Sequence, residues 1–213
     1  MDRWCEQRMW ADLGLETGGA ELLSCGTALV LCVVPALLPP KHWTQSLCAL
    51  QAMLFLLGVG TFVYHWVPHD ENHINAFDWF PMILTCALLG HMLVRHSLEG
   101  YWENTLFFIA LFAWALGLMV AMNLYDYTYL NAGLVVPPVL LLLGFLGIQE
   151  ALVVWGWLLV SLVLWLANHF GCEAWTPLAA LHSLYHVTMA LALWEAGKAA
   201  EVNEPECSKR IYA

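Results

Sequence analysis

Apolar runs of roughly 18 to 22 residues, parted by short polar breaks, constrain this sequence more than any other feature. At 1.5 Å of rise per helical residue, such a run spans a hydrocarbon core of about 30 Å. Seven runs can be read, at about 22–38, 46–67, 76–94, 105–123, 129–148, 150–168 and 177–196. A segment in lipid must satisfy its own backbone hydrogen bonds, which leaves helices or closed barrels. The alternating short segments of a barrel are missing. The expected fold is therefore all-α, an integral membrane bundle of seven transmembrane helices over residues 22–196. A polar lumenal segment, 1–21, precedes it, and a cytosolic tail, 197–213, follows.

Composition agrees with a chain in contact with a lipid bilayer: 61% of residues are hydrophobic, 11% are charged, and the mean hydropathy is +0.67. A net charge of −10 with no basic patch argues against nucleic acid, whose phosphates require clustered Lys and Arg. The acids gather in the first 21 and last 20 positions and read as solvated ends, with a calcium site at the amino end as the alternative. No basic stretch leads into a small-residue cleavage site, so the first run is expected to stay as an anchor.

Pro39 and Pro40 stop the first run, Pro137 and Pro138 kink the fifth, and Thr176 with Pro177 reads as the start of the seventh. Trp43, Trp66, Trp79, Trp102 and Trp175 fall near the ends, as an interfacial belt would. Arg3 and Arg8 lie on one side of a seven-span arrangement, with Lys41, Arg95, Lys198, Lys209 and Arg210 on the other. The positive-inside tendency then puts the carboxyl tail in the cytosol and the amino terminus outside or in a lumen. By parity, the end of the second span and the starts of the third and seventh share the amino-terminal side. Thr61, His65, Asp78, His182 and His186 are thereby expected at one face of the bilayer.

His182 and His186 are four apart, so on a helix their rings project from one face about one turn apart. Packing is the ordinary role of one histidine on an apolar helix. Two at ligand spacing, with His65 at matching depth, point instead to one ion. Three imidazoles suit zinc and leave a fourth position for water, the arrangement of catalytic rather than structural sites. Thr61, one turn before His65, offers a hydroxyl for a developing oxyanion or bonds back to its own helix. Asp78 reads either as an N-cap or as the general base and acid of a hydrolysis. His69 and His73, in the loop HDENH, read as solvated. Cys25, Cys32, Cys48 and Cys86 read as packed thiols, whereas Cys5 and Cys172 both fall on the lumenal side and are expected as a disulfide.

Trp4-Cys5-Glu6, Ala20-Glu21, the GVGTFVYH run, Asp78 with Pro81-Met82-Ile83, Leu-Trp-Leu-Ala-Asn leading to Cys172, and HSLYH occur in this order along nearly the whole chain. In them the chain resembles the alkaline ceramidase family, part of a wider group of seven-span membrane hydrolases that includes the progestin and adiponectin receptors. The resemblance implies hydrolysis of the ceramide amide to sphingosine and a fatty acid, in an endoplasmic reticulum or Golgi membrane. It implies zinc on His65, His182 and His186, acid/base work by Asp78, and Thr61 in the family's serine position. It also implies pairing of Cys5 with Cys172 and a calcium site drawing on Trp4, Glu6 and Glu21, with Asp2 replacing a lost acid. Trp79 stands where the family usually has Glu, and Arg3 and Arg8 stand where its calcium motif has an acid and an amide. A lipid-sensing receptor with a structural zinc site, or a lipid esterase or phospholipase, is the alternative use of such a scaffold.

Overall fold

The computed structural model describes residues 5–15, 21–67, 75–95, 100–125, 148–171 and 174–202, and within these every regular element is helical. A short helix α1 (Cys5–Asp12) precedes five long ones: α2 (Leu22–Leu37), α3 (Gln45–Trp66), α4 (Asn75–Val94), α5 (Tyr101–Tyr125) and α6 (Ile148–Gly171). A 3-10 turn (Thr176–Ala179) then leads into α7 (Ala180–Val202). Six of the seven expected spans coincide with long helices, and the expected fifth lies outside the described residues except for its final residue, Ile148, which opens α6. The helix α3 and residues 151–171 of α6 are long and apolar enough to cross a membrane, and α2 and the 78–94 part of α4 are shorter apolar helices.

The helix ends follow from local chemistry. The side chain of Thr44 caps α3 by accepting from the Leu47 N–H at 3.2 Å. Leu38 donates the last N–H of α2 to Val34, and Pro39 and Pro40, lacking N–H groups, end it there. Thr176 and Pro177 open a 3-10 turn, with Trp175 at its N-cap, that is inserted ahead of the α-helix. α4 opens at Asn75, so Asp78 sits in its first turn rather than at its cap.

One core joins α2, α3, α4, α6 and α7 through Leu31, Val34, Leu50, Leu54, Met92, Val154 and Trp194. Trp194 is fully buried, and its indole N–H donates to the carbonyl of Leu38 at 2.7 Å. α2 and α3 touch closely at Gly58, where an added Cβ would stand 2.9 Å from the Ala28 carbonyl oxygen and 3.1 Å from Leu31 Cβ. Ser161 donates to Thr188 at 2.8 Å and fixes α6 against α7. At one end of the bundle, Arg95, directly after α4, donates to Ser46 of α3, and at 2.7 Å to Glu201 of α7. The polar cluster described next occupies the other end.

Cys25 and Cys86 are buried as expected, and Cys32 is half-buried. Cys48 is exposed instead, because it lies on the outer side of the first turn of α3. Trp43, Trp66, Trp102 and Trp175 are exposed close to helix ends, and Trp79 is half-buried.

Candidate metal centre

Antiparallel packing brings the C-terminal end of α3 beside the N-terminal ends of α2, α4 and α7. His65 comes from the first of these, His182 and His186 from the last. One ring nitrogen from each of the three lies within 4.8 Å of the others. The ring centroids are 5.2 Å apart for His65 and His182, 5.0 Å for His65 and His186, and 4.8 Å for His182 and His186. His65 and His186 are buried and His182 is half-buried.

Ligand nitrogens at 2.0–2.1 Å from one tetrahedral zinc lie about 3.4 Å apart, so a contraction of at most about 1.5 Å seats an ion. The cluster can hold a metal ion. Its second contacts fix which nitrogens face inward. The Nδ1–H of His65 donates to the carboxylate of Glu21, and the Glu21 N–H donates back to the His65 carbonyl at 3.0 Å. That pairing places the ring proton on Nδ1 and raises the basicity of Nε2. Thr27 donates its hydroxyl proton to the Leu23 carbonyl at 2.9 Å, so its oxygen faces His186 Nδ1 at 3.4 Å as an acceptor. Nδ1 of His182 is buried with no hydrogen-bond partner among the described residues. A cation on the cluster would supply this nitrogen with an interaction that the described residues do not.

Asp78 and Thr61 form the second half of the site. The Thr61 hydroxyl, one turn before His65, donates to Asp78 Oδ1 at 2.5 Å. It is therefore neither bonded back to its own helix nor free to face a substrate. The bond holds one carboxylate oxygen of Asp78 and leaves the other for proton transfer.

Two acids at the amino end take structural partners. Glu21 is the N-cap residue of α2, yet its side chain makes no capping bond, being turned to His65. Glu6 of α1 does the capping instead. It accepts from the Leu23 N–H at 2.5 Å and the Ser24 N–H at 3.2 Å, and from the Ser24 hydroxyl at 2.7 Å and the Trp10 indole at 3.1 Å. Glu6 and Glu21, both expected around calcium, are thus hydrogen-bonded within the fold. Asp2 and Trp4 lie outside the described residues, as do Cys172, His69 and His73 and the side chain of Cys5.

The sequence reading assigned Glu21 to calcium and left Thr27 and Tyr185 without a role. Of these, Glu21 carries a signal that could have revealed its partner: an acid directly ahead of an apolar run lies where lipid penalises an unpaired charge. No protein-family model matches this chain, and no curated protein matches it.

Proposed function

We propose that this chain is a seven-span membrane amidase that hydrolyses ceramide or a closely related lipid amide, with zinc as its cofactor. The observation that carries the reading is the buried cluster of three imidazoles together with the Thr61 hydroxyl, one helical turn before His65, bound to the carboxylate of Asp78. The order of motifs shared with the alkaline ceramidases supports ceramide as the substrate. A lipid setting is supported by the outward faces of the helices. Leu152, Leu159 and Val163 of α6, Leu106 and Ile109 of α5, and Phe55 and Leu56 of α3 are all exposed. Only 11% of the apolar window of α6 is buried among the described residues, unlike the core helix of a soluble protein. On this reading the metal end faces the lumen of the endoplasmic reticulum or Golgi, and the Arg95 end faces the cytosol.

A bound zinc supplies Lewis acidity and lowers the pKa of water. The chain's own residues do the rest. Glu21 holds the His65 ring in one tautomer. Asp78, aligned by Thr61, takes a proton from the attacking water and returns it to the departing amine nitrogen. Burial at the helix ends keeps bulk water away from the carboxylate and strengthens each of these contacts.

Purified protein in detergent, assayed for sphingosine release with zinc quantified in the same sample and His186→Ala as blank, tests the proposal. Release that depends on His186, at about one zinc per chain, is the expected result. Zinc without release points to the receptor or to another lipid ester or amide, and the absence of both returns the histidines to packing. Asp78→Asn separates enzyme from receptor, since it is expected to keep zinc and lose at least about 10²-fold in kcat.

A further inference from the structure

With the Thr61 hydroxyl committed to Asp78, the carbonyl oxygen of a lipid amide needs another donor as negative charge develops on it. We propose that this donor is the phenol hydroxyl of Tyr185, which orients the carbonyl and holds its charge in the transition state. The assignment rests on the amidase reading above.

Tyr185 lies between the two histidines of α7. Three residues of helix turn through about 300°, which puts Tyr185 about 60° round the axis from His182, on the side away from His186. Its ring centroid is 5.7 Å from that of His182 and 5.7 Å from that of His186. It is also within electrostatic reach of Asp78 and Cys86 on α4. The ring therefore packs against both histidines of α7, beside the cluster at which a lipid carbonyl would react.

Among the described residues the hydroxyl is also unclaimed. It makes no hydrogen bond to any described residue, although the side chain is half-buried and a tyrosine in such a place ordinarily finds a partner. Other hydroxyls near the site are engaged: Thr27 with Leu23, Ser24 with Glu6, and Thr61 with Asp78. A neutral O–H donor suits the task. It adds no charge to a cluster meant for a cation, and its bond strengthens as the acceptor becomes anionic.

Tyr185→Phe removes one oxygen and keeps the ring against both histidines. In the full chain in detergent, metal content and melting temperature are expected to match the wild type. On ceramide, kcat is expected to fall about 10²-fold or more while KM stays within about threefold. A second readout avoids turnover. It uses a sphingoid lipid whose amide is replaced by a ketone, and the same lipid with that carbonyl reduced to methylene. The wild type is expected to bind the ketone about fivefold more tightly, as one hydrogen bond allows, and Tyr185→Phe to bind both equally. An unchanged kcat in Tyr185→Phe, with an active wild type, overturns the assignment and leaves the amidase reading standing. If the wild type releases no sphingosine, the amidase reading falls. A ketone preference that still depends on Tyr185 then upholds the donor, and its absence overturns that too. Loss of metal or of thermal stability in Tyr185→Phe would make the hydroxyl a packing group and overturn the proposal.

Discussion

Replacing Glu21 by Ala tests how much of the metal affinity comes from outside the three imidazoles. The carboxylate is buried, and it accepts the Nδ1–H of a histidine that is itself only 2% exposed. Water does not readily replace it. Truncation leaves a buried donor unpaired, a loss of about 1–3 kcal/mol. The same figure emerges from the ligand side, because removing the partner of a ligating histidine typically weakens metal binding 10- to 100-fold, about 1.4–2.7 kcal/mol. Glu21→Gln keeps an acceptor but not the charge, so its loss is expected near the lower end. The Glu21 N–H to His65 carbonyl bond at 3.0 Å survives both changes, so the end of α3 stays in place. Zinc affinity would be measured by chelator competition in detergent, with helical content as a folding control. Affinity within twofold of wild type for the folded alanine variant would refute the reasoning, since His65 would then need no fixed tautomer.

Two further expectations concern the scaffold. Gly58→Ala is expected to lower stability by about 1–3 kcal/mol, because its Cβ meets, besides Cys32 Sγ at 2.6 Å, a backbone oxygen and a Cβ of α2 that cannot swing aside. Gly156→Ala on α6, with nothing within 4 Å, is its neutral or mildly stabilising control, and melting in detergent reads both. Arg95→Ala leaves the largely buried Glu201 without its cation and is expected to cost about 1.5–3 kcal/mol. Because Arg95 lies at the end remote from the histidines, turnover per folded molecule should be unchanged, and a fall in turnover at full folding would contradict that separation.

The gathering of His65, Asp78, His182 and His186 at one end was legible because it needs only span count and direction. An even number of crossings returns the chain to the same side whatever the packing. Partners were not legible, because they depend on how each helix is rotated about its axis. α3 is apolar nearly all round, so its periodicity does not say which face meets α2. That rotation is set by contacts such as Gly58 against Ala28 and Leu31, which join residues about 30 positions apart. For the same reason Thr61 could be read as an oxyanion donor or as back-bonded, when the rotation of α3 turns it to Asp78. The N-cap at Trp175 and the exposure of Cys48 were missed at element boundaries, where a 3-10 turn or one residue of phase changes the outcome.

The amino-terminal helix belongs to the metal site by competition rather than by contact with the histidines. The first four N–H groups of α2 need acceptors, and the natural acceptor is the side chain of the N-cap residue, here Glu21. Glu21 is free to turn to His65 only because Glu6, reaching across from α1, already satisfies the N–H groups of Leu23 and Ser24. Glu6→Ala should therefore act twice. It removes a cap, at a cost of about 0.5–2 kcal/mol, and it exposes a positive helix end that draws the Glu21 carboxylate away from His65. The expected outcome is a loss of zinc affinity at a residue that never approaches the ion, smaller than that of Glu21→Ala and absent when Glu21 has already been replaced. A double-variant cycle on zinc affinity reads this directly: a coupling near zero would mean that Glu6 merely caps α2, and a coupling as large as the Glu6 effect itself would mean that it acts wholly through Glu21.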